Sequence, residues 1–300
     1  MTYKDRLSKN NNYSKLSIFI GLLLISAIII HYPIKTLLFS KINSEYYSHI
    51  ILIPFLSIYL IYLKRGEIFS QCSQAIMPGL LLLAIGSMIY FLGYQYSLHL
   101  SENDFAAIIL TAFIIFIWGD FILTFGIESS KKAFFPLSLL IFMIPIPSIL
   151  MDKIIYVLQV GSTELTEVLL MMTGTSYLRD GFVFQLPGMS MEVAKQCSGI
   201  RSSIAVIITT IVAGHMFLNT FWKKILLVLI AIPLTILKNS IRITVLALLA
   251  IYVDQRIITN GALHRDGGIV FFMLALLIIF PVLVLLRKTE VKKNKIKSLT

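Results

Sequence analysis

Cys197 is followed at once by Ser198 and Gly199 and then by a long apolar run beginning at Ile200. A thiol so placed stands at the mouth of a helix, where backbone N–H groups and the positive dipole end favour an anion such as a thiolate. Cys197 is therefore a candidate nucleophile, although the same stretch also fits a small cysteine buried at a helix start. A second candidate, Arg242, lies inside another apolar run. It follows Lys224 by 18 residues, roughly 27 Å of helix at ~1.5 Å per residue. In a hydrocarbon core of ~30 Å that depth is close to the face opposite Lys224, and the mouth of the Cys197 helix lies at the same level. An intramembrane arginine is costly and reads by default as functional, the alternative being that it snorkels to the interface. Lys238 sits one turn earlier on the same face, and two like charges so spaced repel unless an anion joins them. Glu192, Asp254, Asp266, a substrate carboxylate or a lipid phosphate are the candidates for that anion. Asn239, one turn below Arg242, has an amide able to steady the guanidinium.

A thiol nucleophile usually has an imidazole partner, and the chain has five histidines. His215 follows Cys197 by 18 residues, roughly 27 Å down the same run, which excludes it. His31, His49, His99 and His264 all fall in or near the outer half of the membrane, and residue physics alone does not choose among them. No Cys/His cluster has metal-ligand spacing, so neither a metal nor an organic cofactor is expected.

The elements that must position these groups are membrane helices. A chain of 300 residues with 57% hydrophobic content, 14% charged residues and a mean hydropathy of +0.87 is a polytopic membrane protein. The net charge of +11 falls on one side: Lys4, Arg6, Lys9 and Lys15, Lys64-Arg65, Lys131-Lys132, Lys223-Lys224, and the tail from Arg287. It therefore sets orientation and does not imply a nucleic-acid partner. The two cysteines build no disulfide framework. Successive spans are expected at 18–39, 49–63, 78–96, 105–125, 133–150, 200–218, 225–253 and 268–286. Pro145-Ile-Pro147 should break the fifth near the outer face. The first is an uncleaved span, since no small-residue cleavage site follows it. The expected fold is all-α and polytopic, with about eight transmembrane helices in a single integral domain, 1–300. Its cytoplasmic tails are 1–16 and 287–300, so both termini lie inside.

Between the fifth and sixth spans, 151–198 is the one sizeable segment outside the membrane. Ile154, Ile155, Leu158, Leu165, Val168 and Leu169 recur at helical spacing, with Gln159, Ser162, Thr163, Glu164 and Glu167 on the other face. This predicts an amphipathic helix resting in the outer interface. The period then changes from 3.6 to 2. Phe182, Phe184 and Leu186, a Pro187-Gly188 turn, and Met189, Met191 and Val193 predict a short β-hairpin that delivers the chain to Cys197.

Three ordered motifs now stand together: Cys197-Ser-Gly-Ile-Arg201, Asn239-x-x-Arg242, and His264-x-x-x-Gly268-x-x-x-Phe272. The chain resembles the exosortase/archaeosortase family of membrane transpeptidases over Phe182 to Phe272. Tyr47-Ser48-His49 before Lys64-Arg65, and Gln185-Leu-Pro-Gly188 through Val193, resemble the early span and hairpin of that family. One position departs, since the family leads one to expect an acid just before the cysteine where this chain has Lys195-Gln196. The resemblance implies a catalytic set of Cys197, Arg242 and His264, supported by Asn239, Ser198, Gly199, Arg201, Lys238, His49, Glu192 and Gly268. It also implies secreted protein substrates with a C-terminal sorting signal: a PEP-CTERM-like motif, a membrane span and a basic end. Such signals meet the enzyme among membrane lipid at the outer face of the cytoplasmic (inner) membrane. Two readings from other classes stand beside it: an anion transporter using Lys238 and Arg242, and a non-catalytic part of a polysaccharide-export assembly. A polytopic acyltransferase using His264 is an enzymatic rival that would tolerate loss of the thiol.

Overall fold

In lipid a long apolar run satisfies its backbone only as a helix or within a closed barrel, and helices are what these runs form. The computed structural model describes residues 3–30, 47, 49–70, 72–253 and 262–297, with side chains described outside 3–13, 196, 262–269 and 292–297. The chain divides into two units, 1–151 and 152–300.

The first unit holds α1 (Tyr3–Ile29), α2 (Leu52–Leu63), α3 (Arg65–Ile68), α4 (Ile76–Gln95), α5 (Glu102–Lys132) and α6 (Phe134–Leu139). Helix α4 lies along α5 through Gly79, Gly86 and Gly93, spaced seven apart and all buried. A Cβ on Gly79 would stand 2.6 Å from that of Leu123, and one on Gly93 would stand 2.5 Å from Ile108 Cγ2. Small residues on this face let the two backbones approach closely, as membrane helices do when apolar burial gives no drive of its own. The start of α5 is capped by Ser101, whose hydroxyl accepts the N–H of Asp104 at 3.1 Å. Asp104 Oδ1 in turn accepts the N–H of Ser148 at 2.7 Å, and Asn103 Nδ2 donates to the carbonyl of Ile146 at 2.6 Å. These bonds hold the Pro145-Ile-Pro147 break, which falls where the sequence predicts it, between a 3₁₀ turn at Leu140–Met143 and a helix beginning at Ser148. Deeper in the unit the Ser26 hydroxyl meets Asp120 Oδ2 at 3.2 Å, joining α1 to α5 beside the rings of Phe19, Phe69, Phe121 and Phe125.

Gly126 interrupts α5 with φ 86° and ψ 175°, a region open essentially to glycine alone. A Cβ there would stand 1.7 Å from the backbone oxygen of Ser73. Gly126→Ala should therefore destabilise the protein by at least ~3 kcal/mol. It should sharply lower membrane accumulation, read by immunoblot of washed membranes, and wild-type abundance would show that the kink relaxes.

In the second unit, α7 (Ser148–Met172, entering from the first unit) precedes a small sheet and then α8 (Ile200–Phe217), α9 (Phe221–Tyr252) and α10 (Ala262–Lys297). The last three share a core of Val206, Leu227, Ala231, Ala275 and Ile279. Glu290 closes its far end, accepting the N–H groups of Asn219 at 3.0 Å and Thr220 at 2.8 Å. A carboxylate suits that place because the start of α9 exposes N–H groups and a positive dipole end. The predicted hairpin is β2 (Val183–Leu186) and β3 (Met189–Glu192), antiparallel with Phe184 opposite Met191. Gly188 makes its turn at φ 80°. A further strand, β1 (Leu178–Asp180), pairs with β2 to give the order β1-β2-β3. Its three residues, Leu-Arg-Asp, are too short and polar to show a period. Phe184, Leu186, Met191 and Val193 face Leu170, Ile243 and Ala247.

Six helices among the described residues are long and apolar enough to cross a membrane: α4, α5, α7, α8, α9 and the Val270–Val291 part of α10. The protein is thus an all-α polytopic membrane protein. The expected first, second and fifth spans form shorter apolar helices, Ser14–Ile29, Leu52–Leu63 and Phe134–Met143. Residues 31–46, the rest of the first expected span and most of the loop after it, lie outside the described residues. The helix expected to rest in the interface is 25 residues long and joins the six. Its apolar side chains Tyr156, Val157, Val168 and Met171 are exposed, whereas Gln159, Ser162, Thr163 and Thr166 are buried within the protein.

Candidate active site

The chain reaches Cys197 through a sheet that α7 holds at two points. At one, the Arg179 guanidinium of β1 bridges Glu164, at 2.6 Å, and Glu167, while Tyr177 donates to Glu167 at 3.2 Å. The Glu164 carboxylate, then Glu167, raises the pKa of Arg179 further above its ordinary value. At the other, Gln159 Nε2 donates to the carbonyl of Val193 at 2.6 Å, just beyond β3. The 3₁₀ turn Lys195–Ser198 follows. The N–H of Cys197 donates to the carbonyl of Ala194 at 2.8 Å, and its side chain is half-buried. Ser198 is fully buried. Gly199 is the N-cap of α8 with φ 72°, and its carbonyl accepts the hydroxyls of Ser202 at 3.0 Å and Ser203 at 2.9 Å.

Helix α9 grips this turn from the other side. Asn239, 1% exposed, donates through Nδ2 to the carbonyl of Cys197 at 2.9 Å and to the Ser162 hydroxyl at 2.9 Å. A carbonyl can only accept, so the amide nitrogen must face Cys197, and Oδ1 then faces Gly199. Oδ1 has no hydrogen-bond partner among the described residues. The amide expected to steady Arg242 therefore ties α9 to the cysteine turn and to α7 instead. Lys238, also 1% exposed, donates to the Ser202 hydroxyl. Ser240 closes the contact by donating to the carbonyl of Ser162 at 3.2 Å. Arg242 is half-buried one turn beyond Asn239.

Two demands meet at Gly199: a positive φ, and a Cβ that would stand 2.5 Å from Asn239 Oδ1. Gly199→Ala should cost about 2–3 kcal/mol, combining left-handed strain with a displaced Asn239. The thermal midpoint of the solubilised protein should fall by several degrees. An unchanged midpoint would show that the turn has room to spare.

The remaining candidates separate by place. Glu192 is exposed at the end of β3 and takes part in no ion pair among the described residues. Arg201 is exposed in the first turn of α8, and His215 occupies its last turn, at the end away from Gly199. Lys195 pairs with Asp152 of α7 at 3.9 Å. An acid therefore stands near the first residue of the cysteine turn, although so exposed a pair is worth little to stability. His49, whose ring meets the backbone of Phe142, and exposed His99 belong to the first unit. His264, Asp266 and Gly268 lie on the opening turns of α10, where side chains are outside the described residues; His31 and Asp254 are outside them altogether. Among the described residues no cluster of His, Cys, Asp and Glu could hold a metal ion.

Within the second unit the structure thus joins Cys197, Ser198 and Gly199 to Lys238 and Asn239. Three residues that the sequence reading did not assign to the site also belong to it: Gln159, Ser162 and Ser202. The first two were legible only as polar residues on one face of α7, and Ser202 carried no signal beyond its place after the cysteine.

The chain matches the family model described as Transmembrane exosortase over residues 41–281. Neither a curated protein nor a solved structure matches it.

Proposed function

The chain belongs to the transmembrane exosortase family, and from that premise we propose that it cleaves a C-terminal sorting signal from secreted proteins through a thioester on Cys197. Membership supports a membrane-embedded protein-sorting transpeptidase in general; the residue roles below are our reading. One observation carries it. Asn239 bonds the Cys197 carbonyl at 2.9 Å, so the helix bearing Arg242 is tied to the backbone of the nucleophile one turn away.

The thiolate of Cys197 attacks the carbonyl carbon of the scissile peptide, and Arg242 orients that carbonyl and stabilises the charge that develops on its oxygen. The tetrahedral centre collapses with breakage of the C–N bond. His264 gives its proton to the departing amine, leaving an acyl thioester on sulfur. An amine, a hydroxyl or water then attacks the thioester and passes its proton to His264, the C–S bond breaks, and Cys197 leaves as the thiolate, restoring the starting thiolate and protonated His264. The chemistry belongs at the outer face of the cytoplasmic membrane, where a signal with its own span arrives laterally through lipid.

The test is a secreted reporter ending in such a signal, expressed with and without this chain. Cleavage that depends on the chain supports the reading, and a reporter left whole in every case overturns it. Orientation is read separately on spheroplasts with a membrane-impermeant maleimide. Cys197 should be labelled and Cys72 protected, whereas labelling of Cys72 alone would reverse the topology.

A further inference from the structure

We propose that Lys238 is a positioning residue for Cys197, acting through Ser202 on the carbonyl of Gly199. The inference rests on the reading of Cys197 as nucleophile, but its geometry stands apart from substrate. Lys238 is 1% exposed in the middle of a largely apolar 32-residue helix. Its ammonium donates to the Ser202 hydroxyl, and that hydroxyl donates onward to the Gly199 carbonyl at 3.0 Å. The neighbouring Asn239 does the corresponding work on the Cys197 carbonyl. Two consecutive residues of α9 thus hold the two carbonyls that flank Ser198.

The charge makes this more than a structural rivet. A lysine buried among membrane helices is expensive and is ordinarily matched by an acid. Among the described residues no carboxylate forms an ion pair with Lys238. Its surroundings are already positive: Arg242 stands one turn along the same helix, and the N-terminus of α8 begins at Gly199. A buried ammonium beside a helix N-terminus is costly until a negative charge forms there. Among the described residues, the thiolate of Cys197 is the anion that belongs to the turn itself. Nearest in sequence to the turn are Lys195 with its partner Asp152, Arg201 and Glu192, all exposed, as are Lys153 and Asp180; Glu164 and Glu167 of α7 are taken up by Arg179 of β1, and Lys223 and Lys224 lie at the far end of α9. The exposed groups are screened by water, and the paired ones largely cancel, so both act weakly by comparison.

The readout is the thiol itself, with no substrate present. In a Cys72→Ala background the full-length protein in membranes is alkylated with iodoacetamide across pH, and the rate at Cys197 is followed by mass spectrometry. Lys238→Met should slow alkylation at pH 7 about tenfold and move the midpoint of the profile upward by about one pH unit. Ser202→Ala, which cuts the link and leaves the lysine, should move the midpoint the same way with a smaller loss of about threefold. Lys238→Arg, keeping charge and donor, should lie closer to wild type than Lys238→Met. A midpoint that stays put in Lys238→Met at normal membrane abundance overturns the proposal. If that variant fails to accumulate, Ser202→Ala decides on the same criterion. Reporter cleavage separates the two readings: a shifted midpoint with a reporter that is never cut retains the positioning role and removes the sorting function.

Discussion

Cys197→Ala should abolish cleavage of a sorting-signal reporter while the protein still accumulates, and Cys72→Ala should cleave normally. Removing the nucleophile of a covalent enzyme typically costs ~10⁴ or more in rate, so the alanine variant should fall to the background of cells lacking the chain. Folding should survive, because the side chain at this position is half-buried and the turn is held through backbone groups: the N–H by Ala194 and the carbonyl by Asn239. Cys72 is a fair control. Among the described residues its sulfur has weak polar contacts, 3.6 Å to the carbonyl of Phe69 and 3.8 Å to the Ser129 hydroxyl, and neither prepares it for attack. Both variants are measured as the cleaved fraction at matched membrane abundance. Cleavage that survives in Cys197→Ala would end the thioester mechanism and favour chemistry through His264 without a thiol.

What could be read from sequence follows the strength of the local signal. Apolar runs fixed the membrane class, and the alternation of Phe184, Leu186, Met189 and Met191 across Pro187-Gly188 gave the hairpin with its turn in place. The glycine seam of α4 escaped notice because glycines within an apolar span look like filler until a partner helix is laid against them. In the site, the types Cys197, Lys238, Asn239 and Arg242 were visible, but their contacts were not. The polar face of α7 was seen and its use was not, because pattern alone cannot tell a polar stripe facing water from one facing protein. Ser162 joins the site only because α7 meets α9 where Gly161 packs on Ile236, a tertiary fact with no trace in the local pattern. Asn239 was assigned to the wrong neighbour for a related reason. Helical spacing put Arg242 within its reach, while the Cys197 carbonyl, 42 residues away in sequence, competes for the same amide and wins.

That competition bears on the second large effect, Arg242→Lys, which should lower reporter cleavage ~10²-fold or more. With Asn239 anchored to the cysteine turn and to Ser162, the backbone of α9 at Arg242 is fixed relative to the nucleophile, so the guanidinium is carried on a rigid base. Lysine at this position keeps the charge and the helix. It loses the planar fork that holds a carbonyl oxygen in one orientation, and it offers a compact, strongly hydrated ammonium in its place. If charge near the thiol were all that mattered, the exchange would be mild, and Lys238→Gln, which removes a charge outright, would be the more damaging of the two. The opposite order is expected. Lys238 spends its donor on Ser202 within the protein and is 1% exposed, so it lies out of reach of a substrate carbonyl, and its loss should cost about tenfold through the reactivity of the thiol. Arg242 is less buried than Lys238, and on this reading its guanidinium is the group that meets the substrate carbonyl. The cleaved-to-uncleaved ratio in both variants, at equal abundance and with saturating reporter, gives the order directly. Near-normal cleavage by Arg242→Lys together with loss in Lys238→Gln would exchange the two assignments and make the buried lysine the cation on which the reaction depends.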